Sequence, residues 1–155
     1  MIRKAKEKDI DRILELLVQV NMVHHSIRPD LFNGPSTKYT REQLAAILAD
    51  KEKPVFVMAD EGDSVLGYVF CIFERKSGDN ILTDITTLYI DDLCVDEKYR
   101  GQHIGKALYE YVVDFAREGG CHNITLHVWE GNDSAMAFYR KCGLKPQSTC
   151  MERIL

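Results

Sequence analysis

A chain of 155 residues suits one domain able to bury a single sizeable core. Hydrophobic content of 45% and charged content of 28% describe an ordinary globular protein, and no apolar run approaches the length of a membrane span. A net charge of −4 argues against a nucleic-acid surface and is compatible with a cationic substrate.

Taken in chain order, Ile2 to Ala5 has the pattern of a short first strand. Asp9 is placed to cap a helix with Ile10, Ile13, Leu14, Leu17 and Val20 on one face. Pro29, Gly34 and Pro35 make His24 to Lys38 a loop or a broken second helix. Thr40 and Gln43 have capping-box spacing ahead of Leu44, Ile47 and Leu48, and Pro54 ends that helix. Val55 to Ala59 and Val65 to Phe73 are strands joined through Glu61-Gly62-Asp63-Ser64; the second, apolar on both faces, is a central strand. After a turn at Lys76 to Asn80, Leu82 to Val95 is extended. Ala107, Leu108, Tyr111, Val112, Phe115 and Ala116 then mark the buried stripe of a helix from Ile104, stopped by Gly119-Gly120. Ile124 to Trp129 is a strand, Asn132 or Asp133 caps a helix to about Lys141, and Lys145 to Leu155 supplies a last strand or hairpin. Repeats, linkers and low-complexity tracts are absent, so the order β-α-α-β-β-β-α-β-α-β belongs to one mixed α/β domain.

Five cysteines, odd in number and with no C-x-x-C pair, read as reduced thiols in a cytoplasmic protein, and the basic first strand leaves no room for a signal segment. His24-His25 lacks a partner at metal-ligand spacing, so no metal is expected.

The most informative segment runs from Val95 to Leu108. A strand ends, an Arg-Gly-rich turn follows, and a helix begins at once. Such a turn aims backbone N–H groups and the positive end of the helix dipole at one point, and Arg100 and Lys106 flank it without any acid inside it. It reads as a seat for a pyrophosphate. Two commoner phosphate motifs fail: Gly101 and Gly105 enclose three residues where the P-loop needs four, and G-x-G-x-x-G is absent. A second segment, Asn132 to Gly143, spaces Ala135, Phe138 and Tyr139 on one helix face with Asn132 at its N-terminal end. Two helix N-termini after neighbouring strands can therefore point into one cleft.

Arg100-Gly101-Gln102-His103-Ile104-Gly105 resembles the R/Q-x-x-G-x-G/A turn of the GNAT superfamily of N-acetyltransferases, with His103 where the second-to-last glycine falls. The departure suits the turn if His103 keeps an ordinary backbone conformation. Asn132 to Gly143 is similar to that family's N-x-x-A-x-x-F-Y-x-x-x-G. The resemblance covers residues 55 to 152 well and the N-terminal third only in its pattern of elements. It implies a central mixed, mostly antiparallel sheet with splayed parallel central strands, flanked by about four helices, over residues 1–155. It implies acetyl-CoA as cosubstrate: the backbone of Leu93, Cys94 and Val95 along pantetheine like an added strand, Arg100, Gly101, Gln102, His103, Ile104, Gly105 and Lys106 on the pyrophosphate, and Asn132, Ala135 and Tyr139 on the far side. A homodimer sharing the free edge of the C-terminal strand is compatible with it; nucleic acid and membrane are not expected partners.

The implied reaction is attack of a primary amine on the thioester within a ternary complex. A lysine-like amine has a pKa of ~10.4, so about one in 2,500 is uncharged at neutral pH, a cost of about 4.6 kcal/mol that the site must meet by taking a proton. Tyr139 is the implied acid for the departing thiolate; at ordinary pKa values that transfer is uphill by about 2 kcal/mol. Three residues compete as base or amine-orienting group. Asp91 and Asp92 resemble the acidic pair of spermidine/spermine N-acetyltransferases, and strand alternation should turn only one of them into the cleft. His127 stands where ribosomal-protein N-terminal acetyltransferases carry a glutamate. Cys94 invites an acyl-enzyme scheme, but no base and orienting group accompany it. The expected acceptor is a small cationic amine such as a polyamine, with a protein N-terminus or lysine as the alternative. A non-catalytic acyl-CoA-binding module is the rival from another class.

Overall fold

Two strands buried on both faces, β2 (Val55–Ala59) and β3 (Val65–Arg75), set the middle of the sheet. In the computed structural model, which describes residues 1–155, β1 (Ile2–Lys4), β2, β3, β4 (Thr86–Val95) and β5 (Asn123–Leu126) lie side by side in that order. The first three pairings are antiparallel and β4–β5 is parallel, giving the mixed sheet expected. One face takes α1 (Ile10–Ile27) and α2 (Arg41–Ala49), which bury Ile13, Leu16, Leu17 and Leu44 against Val57, Tyr68, Phe70 and Cys94. The opposite face takes α3 (Ile104–Glu118), whose Leu108, Tyr109, Val112 and Ala116 meet Phe56, Val69, Leu88 and Ile90; α4 (Asp133–Lys141) adds Phe138 there. No helix is long and apolar enough to cross a membrane.

Several expected boundaries move. The first helix runs through His24-His25 to Ile27 and stops at Arg28, whose non-helical backbone is what a following proline demands. Asp9 does not cap it. That carboxylate is buried and accepts instead from both Arg3 guanidinium nitrogens (2.7 and 3.0 Å) and from the Lys6 N–H, closing a 3₁₀ turn at Glu7–Asp9. Thr40 and Gln43 do form the reciprocal capping box. The strand expected from Leu82 begins only at Thr86, because Asp79 Oδ1 accepts from the N–H groups of Ile81 and Leu82 and holds them in a turn. Residues 145–155 form no strand: they are exposed and pair with nothing in the sheet, tied back only by Glu152 to Arg28 at 2.7 Å. A strand exists only by its neighbour, and these residues pair with none, leaving the outer edge of β5 open. All five cysteines are free thiols.

Gly67 is where β3 comes tightest to β4. A Cβ there would lie 2.7 Å from the Cys94 carbonyl oxygen and 3.3 Å from Val95 Cα, both main chain and unable to swing aside. Gly67→Ala should therefore cost about 1–3 kcal/mol, as overpacking does, read as a lower urea midpoint. Gly34→Ala, in open space, should stay within about 0.5 kcal/mol.

Candidate active site

The cleft begins where β4 loses a neighbour. Parallel pairing with β5 runs from Thr87↔Asn123 to Ile90↔Leu126 and stops, so Asp91 to Val95 are hydrogen-bonded to β3 alone. The strand expected to reach Trp129 ends at Leu126; beyond it Trp129 turns to set its ring edge-on to Phe32, 5.2 Å between centroids. The backbone of Leu93, Cys94 and Val95 thus presents one open edge, the arrangement an extended amide-bearing arm requires.

At the far end of β4 the chain passes through a 3₁₀ turn and the Arg-Gly segment into α3. None of the backbone N–H groups of residues 101–106 has a hydrogen-bond partner within the chain. Gly101 (φ 79°) adopts the left-handed conformation, and so does His103 (φ 61°), contrary to the ordinary conformation expected of it. The motif's glycine position keeps its geometry here although its glycine is gone; histidine is among the residues that enter this region more readily than most. Arg100 and Lys106 border the turn, and Arg100 Nε also bonds the Val95 carbonyl at 3.3 Å. Free N–H donors at a helix N-terminus between two cations fit a pyrophosphate. Gly105 brings this turn against α4: a Cβ there would sit 3.5 Å from the Phe138 ring. The Asn132 side-chain oxygen caps α4 by accepting from the Ala135 N–H, which leaves its amide nitrogen free to donate.

The acidic pair departs from expectation. The β3–β4 register shifts between Phe70 and Cys71, which face Asp92 and Ile90, so Asp91 is the extra residue of a bulge. Alternation is interrupted, and both carboxylates turn to the α1–α2 face. Tyr39 Oη donates to Asp91 Oδ2 at 2.6 Å and Tyr68 Oη to Asp92 Oδ2 at 2.7 Å; the two phenols lie on either side of Phe70. Lys38 Nζ reaches the same Asp91 oxygen at 2.9 Å. Burial, reinforced by the charge of Asp91, pushes the Asp92 carboxyl up to about 6. Burial and these carboxylates hold both phenols above their usual range, so they remain donors.

Tyr139 is held above the ordinary phenol range by burial first and by the charge of Asp92 second. It shares an electrostatic environment with that acid and with Cys94. His127 does not. It lies exposed past the end of β5 with Nδ1 3.0 Å from Tyr89 Oη, and neither acid bonds it. Cys94 is buried with its Sγ toward the Leu16 carbonyl, and burial pushes its thiol up to about 12, the opposite of an activated nucleophile.

Four residues of this site had no local signal. Lys38, Tyr39 and Tyr68 come to the acids from a loop and from β3. The fourth, Asp96, is fully buried at the base of the turn: it caps the 3₁₀ turn through the Lys98 N–H, bonds Gln19 and forms an ion pair with Arg12. Burial alone would raise this carboxyl; the Lys98 N–H and Arg12 outweigh it and hold it below its usual range. One side chain fastens α1 to the anion turn. Its only legible hint is a carboxylate directly before the motif.

Comparison with known proteins agrees with this geometry. A model of the acetyltransferase (GNAT) family matches residues 20–144. The chain is 31% identical over 155 residues to thialysine N-epsilon-acetyltransferase of Bos taurus, covering 92% of this chain and 82% of that one. It is 29% identical over 107 residues to the peptidyl-lysine N-acetyltransferase YjaB of Salmonella typhimurium, covering 68% of this chain and 61% of that one. Among solved structures, a mutant BH1408 protein of Bacillus halodurans superposes with a TM-score of 0.96 at 29% identity, over 100% of this chain and 99% of the other.

Replacing Asp96 by alanine should cost about 1–3 kcal/mol of stability, the range for stripping a buried hydrogen-bonded acceptor. It should also raise the KM for acetyl-CoA more than it lowers kcat, because the turn loses its anchor. Glu15→Ala, which removes Arg12's exposed partner, should change neither beyond about 0.5 kcal/mol.

Proposed function

The chain belongs to the acetyltransferase (GNAT) family and is an acetyl-CoA-dependent N-acetyltransferase, and within that activity we propose that its acceptor is a small lysine-like amine. The observation that carries the proposal is the same-face pair Asp91 and Asp92. Both are held by phenols, and Asp91 already accepts a lysine ammonium. The phenols orient both carboxylates without neutralising them, and the one cation at the pair is the ammonium of Lys38. The relatives that carry thialysine and peptidyl-lysine in their names point to the same terminal alkyl amine. Among the acceptors expected from the sequence, this reading ranks a lysine-like molecule ahead of a polyamine.

Acetyl-CoA brings an acetyl group already activated as a thioester, held by the open edge of Leu93 to Val95 and the N–H groups of residues 101–106. The remaining work belongs to the chain. Asp91 seats the ammonium. Asp92, at about 6, is ionised at neutral pH yet basic enough to take a proton from the amine, which the ~3.9 of an ordinary aspartate is less suited to do. Tyr139 Oη holds its proton until sulfur needs one. The two acids of the reaction are coupled: the charge of Asp92 is one of the causes that keep Tyr139 weakly acidic. When Asp92 takes up a proton that charge vanishes, and Tyr139 becomes the better donor as its proton is required. His127 bonds Tyr89 and neither carboxylate, so it has no part in this scheme, and Cys94 is left as a core residue.

The test is acetyl-CoA-dependent thiol release with thialysine, lysine, spermidine and a lysine peptide. Rapid turnover of the free lysine-like amines is expected; preference for spermidine would return the acceptor to the polyamines. Asp91→Asn with Asp92→Asn should raise the amine KM; an unchanged KM would sink the cationic seat. At saturating amine, kcat should rise as pH increases through about 6, where Asp92 loses its proton, and Asp92→Asn should remove that limb. Tyr139→Phe should lower kcat at least about tenfold with acetyl-CoA affinity nearly unchanged, whereas a binding module would show no such difference.

A further inference from the structure

We propose that Lys38 is a self-acetylation site: the chain carries, in cis, a lysine seated where its acceptor amine sits. The inference rests on the acceptor seat proposed above. Lys38 follows a loop containing Pro29, Gly34 and Pro35, and its ammonium is 2.9 Å from Asp91 Oδ2, the oxygen that also accepts from Tyr39 Oη. Its stem lies against Tyr39, with Nζ 5.6 Å from the ring centroid. Asp92 senses its charge as well, and so does His24 on the last turn of α1. The lysine is therefore held by Asp91, with the charge of Asp92 nearby, rather than by an isolated surface acid. Lys8 meets Asp63 and Lys106 meets Glu110 elsewhere, whereas Lys53 lines the same pocket as Tyr39 and Asp91 but pairs with Asp50.

Half-exposed on a connecting segment, Lys38 pairs with Asp91, two residues before the open edge at Leu93 to Val95. The chemistry is that of the ordinary reaction with the acceptor supplied by the chain. Lys38 Nζ gives one proton to the carboxylate pair and forms the N–C bond to the acetyl carbonyl as the C–S bond breaks. Tyr139 gives its proton to the departing sulfur and regains one from the nitrogen. An ammonium and a thioester become an amide, a thiol and one released proton, with no change of oxidation state. The acetylated side chain has no charge to offer Asp91, so the modification also frees the seat for an external amine.

The experiment is to incubate the full chain with acetyl-CoA carrying an isotopically labelled acetyl group, without added amine, and to follow intact mass and the label on mapped peptides. The expected result is one acetyl group per chain, on Lys38, accumulating at least about tenfold faster than on any other lysine. Its first-order rate should not change on dilution, and it should be lost in Lys38→Arg and slowed in Tyr139→Phe. An unlabelled Lys38, or one labelled no faster than the remaining lysines, overturns the inference. Thiol release with thialysine and lysine on the same preparation separates the two readings. Turnover sensitive to Asp91→Asn beside an unlabelled Lys38 removes the self-acetylation alone. Neither turnover nor label removes the acceptor seat with it.

Discussion

Everything distinctive in this molecule depends on β4 being hydrogen-bonded on both sides for only part of its length. Up to Ile90 it is an interior strand between β3 and β5; from Asp91 onward it keeps β3 and loses β5. Backbone groups cannot be left unpartnered in a dry interior without cost, so the separation is tolerable only where something else, solvent or a ligand with amide groups of its own, takes the vacated edge. The bulge at Asp91 falls at the same point. One inserted residue ends the regular alternation, turns two successive acids to one face and marks where β5 departs. The sheet geometry and the placement of the acidic pair have a common origin there.

The electrostatics of the cleft follow from how the acids are satisfied. Burial raises Asp92, and the charge of the neighbouring Asp91 adds to the rise, while Asp91 has the cation. Tyrosines rather than arginines supply the structural hydrogen bonds. A guanidinium would have neutralised the pair and lowered both acids; a phenol orients a carboxylate and leaves its charge in place. Arginine is used where neutralisation is wanted: Arg3 on Asp9 and Arg12 on Asp96 lock the buried acids that hold the scaffold. The protein thus sorts its buried aspartates by the donor it gives them.

Much of this was legible in the sequence. The Arg-Gly turn into α3, the Asn132 cap and the Tyr139 helix are local patterns, and their spacing alone carries their geometry. The capping box at Thr40 and the two-sided burial of β3 were equally readable. What escaped depends on partners distant in the chain. Strand alternation is a sound rule for a regular strand, and it failed at Asp91-Asp92 because a bulge is a property of the pairing with Phe70 and Cys71, not of β4 itself. Asp9 has an N-cap's sequence position, but Arg3 and Lys6 take its oxygens. Residues 145–155 have a strand's composition without a strand's neighbour. A histidine in place of glycine suggests an ordinary backbone at His103, whereas the turn imposes the left-handed angle and the histidine accepts it.

The anchoring of Asp96 has a thermodynamic corollary. This single carboxylate holds Arg12 and Gln19 of α1 on one side and the Lys98 N–H of the anion turn on the other. The same helix carries His24 and the start of the loop that leads to Lys38 and Tyr39. Helix α1 thus spans from that tie to the segment bearing Lys38 and Tyr39. Were an anion at the turn and an amine at the acids coupled through it, linkage would make the effect reciprocal, about fivefold in each affinity for each 1 kcal/mol of coupling.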